Sequence, residues 1–92
     1  MNLKHPRGKK AIAMSKEKYD LLKPAVLKYL LAKEKATFGE ISSAIAKNFK
    51  ANGTTFEGSL PWHLEWVKLD LEARKVIKRI AKTSPIEYMI GR

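Results

Sequence analysis

Residues 60–77, Leu-Pro-Trp-His-Leu-Glu-Trp-Val-Lys-Leu-Asp-Leu-Glu-Ala-Arg-Lys-Val-Ile, constrain the fold more than any other stretch of the chain. On a helix turning by about 100° per residue, Leu60, Leu64, Val67 and Leu71 fall within about a 60° arc. That arc is a core stripe. Trp62, Trp66, Leu69 and Ala73 fall on nearly the opposite side, where a helix in a small domain usually meets water. The stretch then runs into Val76-Ile77, which reads as the start of a strand.

The rest of the chain is read outward from this helix. Ser15 is an N-cap candidate, with Glu17 in the first turn, where the helix dipole favours an acid. A first helix is expected over about residues 16–34, with Tyr19, Leu22, Val26, Tyr29 and Leu30 on one face. Pro24 has no N–H and crowds the carbonyl of Asp20. The helix therefore either kinks there or is divided, with proline opening a second segment. Ala36-Thr37-Phe38 reads as a short strand, and Gly39 as the next N-cap. A second helix over about residues 40–50 presents Ile41, Ala44, Ile45 and Phe49, and Asn52-Gly53 stops it. Ser59 caps the third helix, with Pro61 tolerated in its first turn. Val76 to Lys82 and Ile86 to Ile90 read as two strands of an antiparallel hairpin, with Ile86, Tyr88 and Ile90 facing inward.

Ninety-two residues make one domain with one modest core. The chain has no cysteine, which excludes disulfides and thiolate metal sites, and its two histidines are His5 and His63. No cofactor, metal or small-molecule ligand is expected. No apolar run approaches the ~20 residues of a membrane span, and the basic N-terminus lacks the apolar stretch of a secretory signal. A cytoplasmic location is the expectation.

The net charge of +10 points to an anionic partner. Residues 1–14 read as a basic arm, with Arg7, Lys9 and Lys10, and residues 15–92 as the folded domain. A second basic cluster holds Arg74, Lys75, Lys78, Arg79 and Lys82. The acids Glu65, Asp70 and Glu72 all sit on the third helix. No Ser-His-Asp pattern, phosphate-binding glycine loop or HExxH is present, so a non-enzymatic protein is expected.

Leu71-Glu72-Ala73-Arg74-Lys75-Val76-Ile77-Lys78-Arg79 resembles the end of the third helix and the entry to the wing in winged helix-turn-helix proteins, where Leu-Glu-x-x-Gly-Leu-Ile-x-Arg recurs. Lys75 stands where that pattern has glycine, and a left-handed lysine there costs roughly 1 kcal/mol. Trp62, Trp66 and Val67-Lys68-Leu69-Asp70-Leu71-Glu72-Ala73-Arg74, with Lys18-Tyr19, also resemble a small bacterial family of winged-helix-like domains without an established activity. The resemblance implies a mainly α domain with a small antiparallel sheet (α+β): three main helices and a C-terminal hairpin wing.

It also implies DNA binding. In such a domain, phosphate contacts come from the wing and the arm. The third helix offers only His63 and Lys68 as base-reading candidates against three acids, so sequence specificity is expected to be weak. The rival reading is a protein–protein interaction module that uses the Trp62/Trp66 face. That face, with Leu69, is open to three readings: cover from the arm, the wing or Leu27 and Leu31; a homodimer interface; or stacking on single-stranded nucleic acid.

Overall fold

A computed structural model describes residues 2–3, 12–80 and 84–91. Three helices carry most of the chain: α1 (Lys16–Lys33), α2 (Phe38–Ala51) and α3 (Leu60–Ala73). Three short strands complete it: β1 (Lys35–Thr37), β2 (Ile77–Ile80) and β3 (Glu87–Ile90). The sheet order is β1-β3-β2 and both pairings are antiparallel. This is an α+β architecture, in the element order that the resemblance implies.

The helix ends follow local chemistry. The Ser15 and Ser59 hydroxyls accept from the N–H groups of Lys18 and Trp62, as expected of N-caps. The start of α2 differs from the expectation. Its N-cap is Thr37, two residues before Gly39, and in a capping box the backbone N–H of each of Thr37 and Glu40 donates to the other's side-chain oxygen. Phe38 is consequently the first residue of the helix and not the last of the strand.

Pro24 lies inside α1, which runs unbroken past it. Pro24 is exposed, so the carbonyl that loses its partner lies on the solvent side of the helix. The end of α3 bears out the reading of Lys75. Lys75 has φ 62°, and the N–H groups of Lys75 and Val76 bond back to the carbonyls of Glu72 and Leu71. That pairing is a Schellman motif, which normally uses glycine.

The core lies between the three helices and one face of the sheet. α1 contributes Tyr19, Leu22, Val26 and Leu30; α2 contributes Ile41, Ile45 and Phe49; α3 contributes Leu64, Val67 and Leu71. Ala36, Ile77 and Tyr88 close it from the sheet. Each fully buried leucine contributes roughly 1.5–3 kcal/mol. Leu60 and Tyr29, expected in the stripes, are only partly buried at the margin.

Two expectations about the edges change. Ile86 precedes β3, which begins at Glu87, and it is exposed. The root of the basic arm belongs to the domain: Leu3 and Met14 are buried in the core, and the Leu3 N–H bonds to the Ile12 carbonyl at 2.9 Å.

Candidate nucleic-acid interface

The candidate site is built where α3 meets the hairpin, and its electrostatics start from the acids of α3. Asp70 is fully buried. Its carboxylate accepts from the Tyr19 hydroxyl on α1, and Arg74 Nε donates to its two oxygens at 3.0 and 2.9 Å. Burial, then the hydrogen bond to Asp70, push the Tyr19 hydroxyl well above the usual tyrosine range. Glu72, with its side chain 7% exposed, is paired with Arg79 at 3.2 Å. Glu65 is paired with Lys68 at 2.9 Å. Every acid of the helix is therefore neutralised inside the chain. The repulsion of phosphate expected from three solvated acids is much reduced.

Lys68 corrects the sequence reading. It is a base-reading candidate by composition, yet it is buried in the structure. Its ammonium donates to the Tyr88 hydroxyl at 3.0 Å and lies over the rings of Tyr88 and Phe38. Burial alone would lower its pKa, but the bonds to Tyr88 and Glu65 outweigh burial and raise it. Lys68 is a charged strut between α3 and β3 and does not face a nucleic-acid groove.

His63 is half-buried near the start of α3. Its Nδ1 lies 2.6 Å from the Ser59 carbonyl, so Nδ1 carries the proton. Phe56 meets the ring edge-on at 5.0 Å between centroids and Trp62 at 4.9 Å. These contacts fix the ring and limit what it can reach.

The cations of the second cluster divide into two kinds. Arg74 and Arg79 are committed to Asp70 and Glu72, and Arg79 also lies over the Tyr88 ring. Arg79 fastens the hairpin to α3, and Arg74 closes the last turn of α3 on Asp70. Lys75 and Lys78 are exposed and make no ion pair among the described residues. Lys82 and the arm residues Arg7, Lys9 and Lys10 lie outside the described residues.

Strand register adds a cation that sequence reasoning missed. Met89 in the central strand pairs with Lys78 on one side and Lys35 on the other. Paired residues project to the same face of a sheet, so both exposed lysines share one row, with Glu87 in the neighbouring row. Lys35 is far from Lys78 in sequence, and nothing short of the strand pairing could have joined them.

The tryptophan face divides as well. Trp66 and Leu27 pack against the core, whereas Trp62 remains 48% exposed, with its ring 6.4 Å from that of Trp66. Leu31 is itself exposed, beside Met89 and Ile90. Leu69 is partly buried.

Fold and surface thus define a small basic α+β domain in which Tyr19, Tyr88 and Arg79 tie the polar groups of the third helix to α1 and the hairpin. The chain belongs to a family of unknown function (DUF6958), which matches residues 1–88 and so takes in the arm as well as the helices. No curated protein and no solved structure matches the chain.

Proposed function

We propose that this domain binds nucleic acid, chiefly duplex DNA, as a non-enzymatic winged-helix module. The observation that carries the reading is the division of charge at the end of α3. All three acids are paired internally, while Lys75 and Lys78 remain exposed beside them on a chain of net charge +10. Lys75 and Lys78 contact phosphates, and Lys82, Arg7, Lys9 and Lys10 extend the basic surface from the wing and the arm. With Lys68 turned inward and His63 held by its neighbours, α3 has little left for reading base edges, so affinity is mostly independent of sequence.

Fluorescence anisotropy at ~50 mM salt tests this with duplex DNA, single-stranded DNA and RNA of equal length, a regime that favours even non-specific binding. Binding strongest to duplex DNA supports the reading. No binding to any of the three refutes it.

A second reading, protein interaction through the tryptophan face, is favoured by one observation. Trp62, on the outward face of α3, is 48% exposed, an unusually open position for a tryptophan.

A further inference from the structure

Resting on the DNA-binding reading above, we propose that duplex DNA lies across the outward face of the three-stranded sheet, where Lys35 of β1 and Lys78 of β2 hold phosphates on either side of Met89. The docking face is then the sheet, and Lys35 joins Lys75 and Lys78 as a contact.

Burial alternates along the strands. Ala36, Ile77 and Tyr88 are buried against the helices, whereas Lys35 and Lys78 are exposed and Met89 between them is half-buried. The same alternation sorts Lys78 from Arg79. Arg79 pairs in register with Tyr88, in the inward row, and from there reaches Glu72 of α3. Lys78, one residue earlier, projects to the opposite face. Lys35 and Lys78 make no ion pair among the described residues.

Charge complementarity identifies the occupant. Two strand spacings put the backbones of Lys35 and Lys78 about 9.5 Å apart. That is close to one Debye length at physiological salt, so the two charges repel each other little in the free domain. One strand of a duplex carries a phosphate per about 3.4 Å of axis, so the row spans several phosphates and each lysine meets its own. Met89 adds no charge between them. Glu87, in the neighbouring row, is half-buried and already engaged in a contact of its own. Glu34, exposed beside Leu31, Met89 and Ile90, bounds the row where α1 gives way to β1. Docking by the sheet also accounts for α3. Lys68 is turned inward and His63 is held by its neighbours, and a face that grips backbone phosphates needs neither for reading bases.

Salt titrations of duplex affinity by fluorescence anisotropy test this with the wild type, Lys35→Gln, Met89→Lys and Lys47→Gln. Lys47 is exposed on α2, so its substitution removes the same charge from another part of the surface. Lys35→Gln should reduce the slope of log K against log salt by about 0.9 and weaken binding at every salt concentration, while Lys47→Gln should leave the slope unchanged. Met89→Lys, checked for folding by circular dichroism, should steepen the slope by about 0.9 and bind more tightly, because it sets a further cation in the row. If the wild type binds and Lys35→Gln behaves like Lys47→Gln, the sheet face is overturned and the DNA-binding reading stands. A folded Met89→Lys that binds no more tightly has the same meaning. A Lys35→Gln that aggregates with an unchanged slope gives Lys35 the protective role of an edge-strand lysine and likewise overturns the sheet face. A wild type that binds no DNA overturns both the face and the reading beneath it.

Discussion

The fully buried carboxylate of Asp70 on α3 accepts a hydrogen bond from the hydroxyl of Tyr19 on α1. Two helices distant in sequence are joined at a point where neither polar group can reach water. Tyr19→Phe should lower stability by about 1–3 kcal/mol, because Asp70 keeps Arg74 but loses its other named partner. Chemical denaturation checks the size of the loss.

The same pair gives a pH dependence. The folded-state pKa of Tyr19 is raised above its unfolded value, so its stabilising contribution is complete below about pH 10 and is lost as pH rises beyond it. Lys68 is raised too, and its contribution fades in the same direction. Denaturation midpoints between pH 8 and 11 should fall less steeply in Tyr19→Phe than in the wild type. Parallel curves would count against this account of the pair.

A substitution at Lys75 should separate stability from the proposed DNA binding. Lys75 holds a left-handed conformation at φ 62° that glycine adopts more readily. Lys75→Gly should raise stability by about 1 kcal/mol while weakening DNA binding. Thermal melts and anisotropy on one preparation would show the two moving in opposite directions.

Lys68 and Lys78 form a matched contrast. Lys68→Met keeps most of the aliphatic stem but removes the donor to the Tyr88 hydroxyl and the partner of Glu65. It should destabilise the fold by about 1–3 kcal/mol and leave DNA affinity unchanged wherever the protein is folded. Lys78→Gln should do the reverse, with a stability change within about 0.5 kcal/mol.

Gly91 passes close to the turn that carries Lys75. A Cβ built there would stand 2.5 Å from the Lys75 carbonyl oxygen, while the Gly91 N–H bonds to the Val76 carbonyl at 2.8 Å. Gly91→Ala should cost about 1–3 kcal/mol, since the obstacle is backbone and its hydrogen bond holds Gly91 in place. Urea denaturation measures it.

These residues also show where sequence reading succeeds. Ser15, Ser59, Asn52-Gly53 and the left-handed Lys75 are local signals, and local backbone chemistry decides them. The cap of α2 is a local signal too: Thr37 and Glu40 carry the capping-box spacing and satisfy two backbone N–H groups, which Gly39 has no side chain to do. Lys68, Arg79 and Lys35 were different. Lys68 lies next to the apolar stripe of α3, and whether its ammonium goes out to water or in to a hydroxyl depends on Tyr88, twenty residues away. Arg79 is taken up by Glu72 only after the hairpin folds back on α3. Charge can be counted along a chain, but its availability is decided by tertiary pairing.

The central claim is that Lys75 and Lys78 give this domain its hold on DNA. The most direct measurement is the salt dependence of duplex affinity, for the wild type and for Lys75→Gln/Lys78→Gln. Each lost phosphate contact should reduce the slope of log K against log salt by about 0.9, so the double variant should lose about 1.8 and bind more weakly at every salt concentration. An unchanged slope and affinity in a folded double variant would contradict the claim.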